Sequence, residues 1–208
     1  MPPRPAQATR QAPRRARSAR QVLPDYLRPG LDVVFVGINP GRHSAARGHH
    51  YAGPGNHFWP LLYEAGFVPE SVTCEDDGRM PDLGIGLTNI VDRPSRGIDD
   101  LSRAEMEDGA VRLREKLRRY RPRVVCFNGK AIYQVFAGHA CELGLQPERL
   151  PAASPGAEGA LAYVMPSTSP RTASYQRADK LRFFRELKAV VDRAVALRQA
   201  QDAAEARS

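Results

Sequence analysis

The sequence predicts an α/β fold, a three-layer α/β/α arrangement with a central parallel four-stranded sheet and helices on both of its faces. Four short extended segments predict the strands, at residues 32–36, 86–91, 124–127 and 161–165. The first contains a continuous β-branched and aromatic run, Val33 to Val36, which is typical of a buried strand. Helical patterns lie between these segments, and each helix can provide the crossover that two parallel strands need.

End signals predict the first two major helices. Asn56 is a candidate cap for a helix that ends at Gly66. Ser102 and Glu105 form a capping-box pattern, which predicts a helix from there to about Tyr120.

The rest of the chain gives weaker local signals. A short helix is predicted around Ile132 and Phe136, and a last helix from about Asp179. Residues 138–160 are rich in Gly, Pro and Ala, so we expect them to be irregular.

The 208 residues suit one domain with terminal extensions. We expect a disordered Arg-rich basic arm at residues 1–22, one globular domain at 23–195, and a frayed helical or disordered tail at 196–208. The formal net charge is +8, and the arm carries six arginines and no acid, which leaves +2 for the rest. The arm is either a solvated extension or an electrostatic tether to a polyanion such as nucleic acid.

Several protein classes are excluded by the composition. No stretch approaches the roughly 20 apolar residues of a membrane span, and the N-terminus lacks the apolar core of a secretory signal. Cys74, Cys126 and Cys141 form no C-x-x-C pair and are too few for a four-cysteine cluster. We therefore expect a reduced intracellular compartment, no metal and no cofactor.

The first strand runs directly into Gly37-Ile38-Asn39-Pro40-Gly41. Loops at the carboxyl ends of such strands are where open α/β sheets bind ligands. Asn39 is either a turn residue that bonds its own backbone or an amide that holds a water or a substrate carbonyl. Asp92, near the tip of the second strand, has two interpretations. It is either a structural carboxylate, in a salt bridge to Arg93 or in the turn before Pro94, or a base or electrostatic partner for a cationic transition state.

Other polar and aromatic residues carry similar alternatives. His50 and Tyr51 suit a hydrogen-bonding imidazole beside a stacking ring better than a metal site. Asn89, within an apolar strand, bonds either the backbone or the edge of a bound base. Arg171 is either solvent-exposed or a nucleic-acid contact.

Taken together, these segments closely resemble the mismatch-specific uracil/thymine-DNA glycosylases, the Mug/TDG branch of the uracil-DNA glycosylase superfamily. Residues of about 23–195 carry the resemblance. Five blocks occur in the family's order: Gly37–Gly41, Gly48–Trp59, Thr88–Arg93, Phe127–Lys130 and Met165–Arg171.

The resemblance implies a DNA repair glycosylase that flips uracil, or a mispaired thymine or modified pyrimidine, out of duplex DNA and hydrolyses its N-glycosidic bond. It implies that Asn39 positions the attacking water and that Tyr51 stacks on the flipped base. It implies a base pocket lined by His50, Asn89 and the Ile38 backbone. It assigns the DNA wedge and strand contact to Ser167, Thr168, Ser169, Pro170 and Arg171.

Two departures from the family pattern shape the expectations. Bacterial members usually place a bulky Leu in the wedge loop, where this chain has Thr168, Ser169 and Pro170, so Arg171 becomes the preferred plug. The first motif offers Asn39 and no carboxylate, so we predict that Asp92 contributes to the rate. Two blocks, Gly48–Trp59 and Phe127–Lys130, look more like those of the thymine-acting members, which argues against a narrow uracil specificity.

The expected partner is double-stranded DNA with G·U or G·T mispairs, bound by a monomer, with no membrane involved. The location would be the cytoplasm and nucleoid in a bacterium or the nucleus in a eukaryote. Two other functions remain open: a protein that binds damaged or mismatched bases without cleaving them, and a nucleotide-binding enzyme that uses Gly37–Gly41 as a phosphate loop. The latter lacks the Lys-Ser/Thr ending and the G-x-G-x-x-G spacing.

Overall fold

The structure is a computed structural model that describes residues 22–150, 152, 158–172 and 174–207. The basic arm expected at residues 1–22 lies outside the described residues, apart from Val22.

The central sheet has the order β2-β1-β3-β5-β4. Its strands are β1 (Val33–Gly37), β2 (Ile85–Asn89), β3 (Val124–Asn128), β4 (Gly144–Arg149) and β5 (Leu161–Met165). The sequence predicted four of these strands, β1, β2, β3 and β5, and they form parallel pairs as expected. The α/β fold with a central parallel sheet is thus confirmed, with one additional strand.

The additional strand β4 corrects the prediction that residues 138–160 are irregular. It pairs antiparallel with β5 at the edge of the sheet. It was missed because Gln146 is its one buried residue and Pro147 interrupts it. An edge strand has a neighbour on one side only, so it tolerates both a proline and a polar sequence.

The helices surround the sheet on both faces. They are α1 (Arg42–Arg47), α2 (Phe58–Glu64), α3 (Arg103–Tyr120), α4 (Lys130–Ala137) and α5 (Arg177–Glu205), with 3₁₀ segments at Cys74–Leu83 and Ile98–Asp100. α1 and the first 3₁₀ segment were not predicted, because α1 has only six residues and neither segment carries much apolar periodicity. The predicted tail at 196–208 is helical as far as Glu205.

Strand β1 shows why the fold has three layers. Its residues are all buried, and successive side chains point to opposite faces of the sheet. Val33 and Phe35 pack in one core, where Phe35 meets Phe58 of α2 edge to face at 5.1 Å. Val34 and Val36 pack in the other core, against α3 and α4. The carboxyl ends of the parallel strands are left free to build a site.

No helix in the described part of the chain is both long enough and apolar enough to span a lipid bilayer.

Candidate active site at the carboxyl edge of the sheet

A cleft of about 770 Å³ opens where β1, β2, β3 and β5 end. This edge is the usual ligand-binding position in open α/β sheets. The cleft is lined by ten of the eleven predicted site residues: Ile38, Asn39, His50, Tyr51, Asn89, Ser167, Thr168, Ser169, Pro170 and Arg171. The fold therefore gathers segments that are distant in sequence into one site.

Asn39, two residues beyond the end of β1, has an amide whose orientation is fixed by its neighbours. Its Nδ2 donates to the carbonyl oxygens of Pro40 (3.2 Å) and Arg93 (3.0 Å) and to Ser95 Oγ (2.8 Å). Carbonyl oxygens only accept, so the NH₂ group must face them and Oδ1 must face away. Oδ1 accepts no hydrogen bond from the residues that the structure describes, which leaves it able to hold a water molecule.

The loop that holds Asn39 is itself anchored to the start of α3. The Arg93 guanidinium pairs with both carboxylate oxygens of Glu105, at 2.5 and 3.0 Å. These bonds, together with those from Ser102, lower the pKa of Glu105 to about 2. The capping box predicted for α3 therefore also fixes the loop whose carbonyl orients Asn39.

Asn89, at the end of β2, faces the cleft with its amide unpaired. The side chain is buried and has no hydrogen-bond partner among the described residues, yet it lines the cleft. Its Oδ1 occupies the space that a Cβ on the neighbouring Gly37 would need. Glycine at position 37 therefore makes room for an amide that can both donate to and accept from a ligand.

Tyr51 presents a rigid aromatic wall. Its ring stacks on Phe58 at 3.9 Å with an interplanar angle of 16°. Its backbone is left-handed, with φ of 54°, which is uncommon for a side chain of this size. The hydroxyl is buried without a hydrogen-bond partner in the described part of the chain. Burial raises the pKa of Tyr51, opposed by the neighbouring Asn128 amide, so the hydroxyl stays neutral.

His50 is held as a neutral ring. Its Nε2 lies 2.8 Å from the carbonyl oxygen of Pro24, an acceptor, so Nε2 carries the proton and Nδ1 is left as the acceptor. Burial lowers the pKa of His50, which favours the same neutral form. The metal-ligand alternative is therefore not needed to explain this histidine.

Asp77, which the sequence analysis missed, organises the segment that carries His50. Its buried carboxylate accepts the His50 backbone N–H at 2.9 Å and lies 3.1 Å from His49 Nδ1. Asp77 sits in a run of three acidic residues with no recognisable motif, so no local signal separates it from its neighbours.

The loop after β5 is fastened to the sheet by Asn128, another residue that was not assigned a role in advance. Asn128 donates from Nδ2 to Thr168 Oγ1 (3.0 Å) and accepts the Thr168 N–H at Oδ1 (2.9 Å). The Thr168 carbonyl accepts the N–H of His57 at 3.1 Å. Thr168 is buried and anchors the loop, whereas Pro170 and Arg171 are exposed at its crest.

Arg171 reaches from this crest to the loop that follows β2, where its guanidinium donates to the Arg96 carbonyl. Further basic side chains, Arg42, Arg96 and Lys130, line the cleft, while Asp99 is the one acidic residue among the described lining residues. This imbalance makes the cleft attractive to an anion.

Asp92 is not brought to the cleft. It is half-buried and does not belong to the lining, whereas the carbonyl of its neighbour Arg93 faces Asn39. Of the two residues predicted to act in catalysis, the structure therefore places only Asn39 in the cleft. The catalytic role of Asp92 stays a prediction.

Comparison with known proteins agrees with this architecture. Residues 24–191 match the family model of the uracil DNA glycosylase superfamily. The fold is similar to the solution NMR structure of a candidate uracil DNA glycosylase from Methanosarcina acetivorans, with a TM-score of 0.51 and 21% identity over 81% of this chain and 98% of that one. Because the family model spans most of the chain, the protein belongs to the uracil DNA glycosylase superfamily.

Proposed function

We propose that the protein is a monofunctional DNA N-glycosylase of the mismatch-specific type. It flips uracil, or a mispaired thymine or modified pyrimidine, out of duplex DNA opposite guanine and hydrolyses the N-glycosidic bond, leaving an abasic site. Membership of the superfamily supports a DNA glycosylase role. The observation that carries the proposal is that the oriented Asn39 amide and the unpaired Asn89 amide line the same cleft.

The chemistry of the reaction suits this pair of amides. As the glycosidic bond breaks, positive charge develops on the sugar and negative charge on the departing base. Hydrogen-bond donors around the base, including the Asn89 NH₂ group, stabilise that anion. Because the pyrimidine then departs early, a water held by Asn39 Oδ1 needs little activation. An amide, which cannot accept a proton from that water, is therefore sufficient to position it.

Base recognition would combine stacking and edge contacts. The Tyr51 ring, supported on one face by Phe58, provides a flat surface for a pyrimidine. The neutral His50 ring and the Asn89 amide offer polar contacts at the edge of that base. The Ile38 carbonyl accepts the Val91 N–H at 2.8 Å, which keeps the first motif close to the strand that carries Asn89.

The exposed crest of the loop after β5 suits contact with the DNA duplex. Proline and arginine at positions 170 and 171 can occupy the space left by a flipped nucleotide, and the basic cleft lining favours a phosphate backbone. The resemblance of the Gly48–Trp59 and Phe127–Lys130 blocks to the thymine-acting members supports the mismatch-specific assignment.

Single-turnover cleavage of a duplex with one G·U pair tests the proposal, with wild type, Asn39→Ala and Asp92→Asn in parallel. We expect alkali-labile strand breaks with wild type and a rate about 100-fold or more lower for Asn39→Ala, the scale of losing one preorganised polar group. We expect a reduced rate for Asp92→Asn, and an unchanged rate would remove Asp92 from the mechanism. Duplexes with G·T and A·U pairs then measure the mismatch preference.

The alternative function is recognition of damaged or mismatched bases without cleavage. Tight binding of the G·U duplex with no strand breaks after alkali would support that alternative and refute the glycosylase proposal.

A further inference from the structure

Lys180, in the first turn of α5, is a buried cation that the proposed reaction does not use. Its side chain is 1% exposed, and Nζ donates to the Ser169 carbonyl at 3.0 Å. Among the residues that the structure describes, no carboxylate lies within ion-pair distance of this ammonium group. The nearby acids of α5 are used elsewhere, with Asp179 bonded to the Gln176 N–H.

Such an arrangement is unfavourable for the stability of the fold. A buried charge without a counter-charge carries a large desolvation cost, and an ammonium group has three donors to satisfy. Burial accordingly lowers the pKa of Lys180. An apolar side chain of the same length would fill the same space without that cost, so packing alone does not account for a lysine here.

The carbonyl that Lys180 holds belongs to a tight turn. The Ser169 carbonyl also accepts the Thr172 N–H at 3.2 Å, which closes the turn from Ser169 to Thr172. Pro170 and Arg171 are the two central residues of this turn and form the exposed crest. Lys180 therefore holds the buried side of this turn through the Ser169 carbonyl. Ser169 directly follows Thr168, which is hydrogen-bonded to Asn128 and His57.

We propose that Lys180 is a positioning residue for base extrusion: its ammonium group fixes the Ser169–Thr172 turn so that Pro170 and Arg171 are presented in one arrangement to the duplex. The proposal rests on the proposed glycosylase function. A preorganised turn lowers the cost of entering the gap in the base stack, because the loop needs no ordering when DNA binds. A substrate whose uracil is already unpaired needs no such entry.

The test compares Lys180→Met with Lys188→Met in the full-length protein. Both residues lie on α5 and both substitutions remove one positive charge, but Lys188 pairs with Asp192 and lies about two helical turns beyond Lys180. Single-turnover rates are measured on a G·U duplex and on a single strand with one uracil, or on a uracil within an unpaired bubble if wild type does not cut single strands. Thermal unfolding of each variant is recorded in parallel.

We expect the single-turnover rate of Lys180→Met on the duplex to be lower than that of wild type by about tenfold or more. A displacement of about 1 Å at a reacting centre can lower a rate by about 100-fold, so this is a modest effect. Its rate on the unpaired substrate should stay within about twofold of wild type, and its melting temperature should not fall. Lys188→Met should match wild type on both substrates. In an Arg171→Ala background, the duplex effect of Lys180→Met should shrink, because both changes act through the same turn.

An unchanged duplex rate, an equal loss on both substrates, or a Lys180→Met protein that does not fold would each overturn the proposal. The last two would show that Lys180 serves the fold as a whole and has no special relation to the turn. Wild-type protein that cleaves neither substrate would instead refute the proposed function, so the two failures are distinguishable.

Discussion

Three asparagines at the ends of neighbouring strands show how far the surroundings decide the use of one side chain. Asn128 uses its amide to hold Thr168, and Asn39 uses its NH₂ group to hold the loop of Arg93 and keeps an oxygen free. Asn89 keeps its whole amide for the cleft. The same amide group thus anchors a loop at Asn128, is a candidate to position water at Asn39 and is a candidate to bind the edge of a base at Asn89.

Gly37→Ala should disrupt the base pocket while leaving the fold intact. The added Cβ would overlap Asn89 Oδ1, so the amide must turn or the strand must shift. Because displacement of about 1 Å at a reacting centre can cost on the order of 100-fold, we expect a large loss of single-turnover rate on the G·U duplex.

Gly41→Ala is the matched control for this change. Gly41 has φ of −62°, and a Cβ there meets no described atom within 4 Å. We expect Gly41→Ala to keep its rate, and a wild-type rate for Gly37→Ala as well would mean that the pocket does not depend on the position of Asn89.

The His50→Gln variant should lose less unfolding free energy than wild type when the pH falls into the mildly acidic range. Burial lowers the pKa of His50 below its ordinary value of 6.5, so the unfolded chain binds a proton that the folded chain does not. The stability that the neutral ring contributes is complete above about pH 6.5 and is lost as the pH falls below it. Gln can still donate to the Pro24 carbonyl but does not titrate.

Urea unfolding at pH 7.5 and pH 5.5 measures this difference, with His139→Gln, at an exposed histidine, as the control. We expect a smaller drop in unfolding free energy for His50→Gln than for wild type or for the control. The same drop in all three proteins would assign the acid sensitivity to other groups.

Among the elements, the start of α3 links stability to the site. Glu105 caps this helix and pairs with Arg93, whose carbonyl orients Asn39. With a folded pKa of about 2 against an ordinary 4.5, the Glu105 carboxylate stabilises the fold above about pH 4.5, and this contribution is lost as the pH falls towards 2.

Glu105→Gln should therefore lower the urea midpoint at pH 6, and its difference from wild type should shrink at pH 3. Glu107→Gln removes the same charge from the same helix but breaks only an exposed pair with Arg103, and it should have little effect. A deficit of Glu105→Gln that is the same at pH 6 and pH 3 would contradict the assignment.

At the scale of the whole molecule, charge is unevenly distributed along the chain. Six arginines fall within residues 1–22, and the cleft lining carries a smaller basic excess. Deleting residues 1–22 should flatten the dependence of duplex affinity on salt, by up to about 0.9 in the logarithmic slope for each phosphate that the arm neutralises. Affinity titrations between 50 and 300 mM NaCl measure the slope, and an unchanged slope would mean that the arm does not bind DNA.

Local sequence determined most of the architecture. The apolar runs of β1, β2, β3 and β5 predicted a parallel sheet, because buried strands need continuous apolar residues. The Ser102–Glu105 pattern predicted the start of α3 because capping is a contact between near neighbours. The motif Gly37–Gly41 pointed to the edge of the sheet where the cleft opens, since ligands bind where parallel strands end in open α/β sheets.

Tertiary structure alone decided how the polar side chains are used. The orientation of Asn39 depends on a carbonyl 54 positions away, and the anchoring of Thr168 by Asn128 spans 40 positions. The fold likewise leaves Asp92 outside the cleft lining and buries the Asp77 carboxylate against His49 and His50, and no local signal distinguishes either outcome. Periodicity reports which face of an element is buried, but the partner of a polar group is set by which distant segment the fold brings within hydrogen-bonding distance.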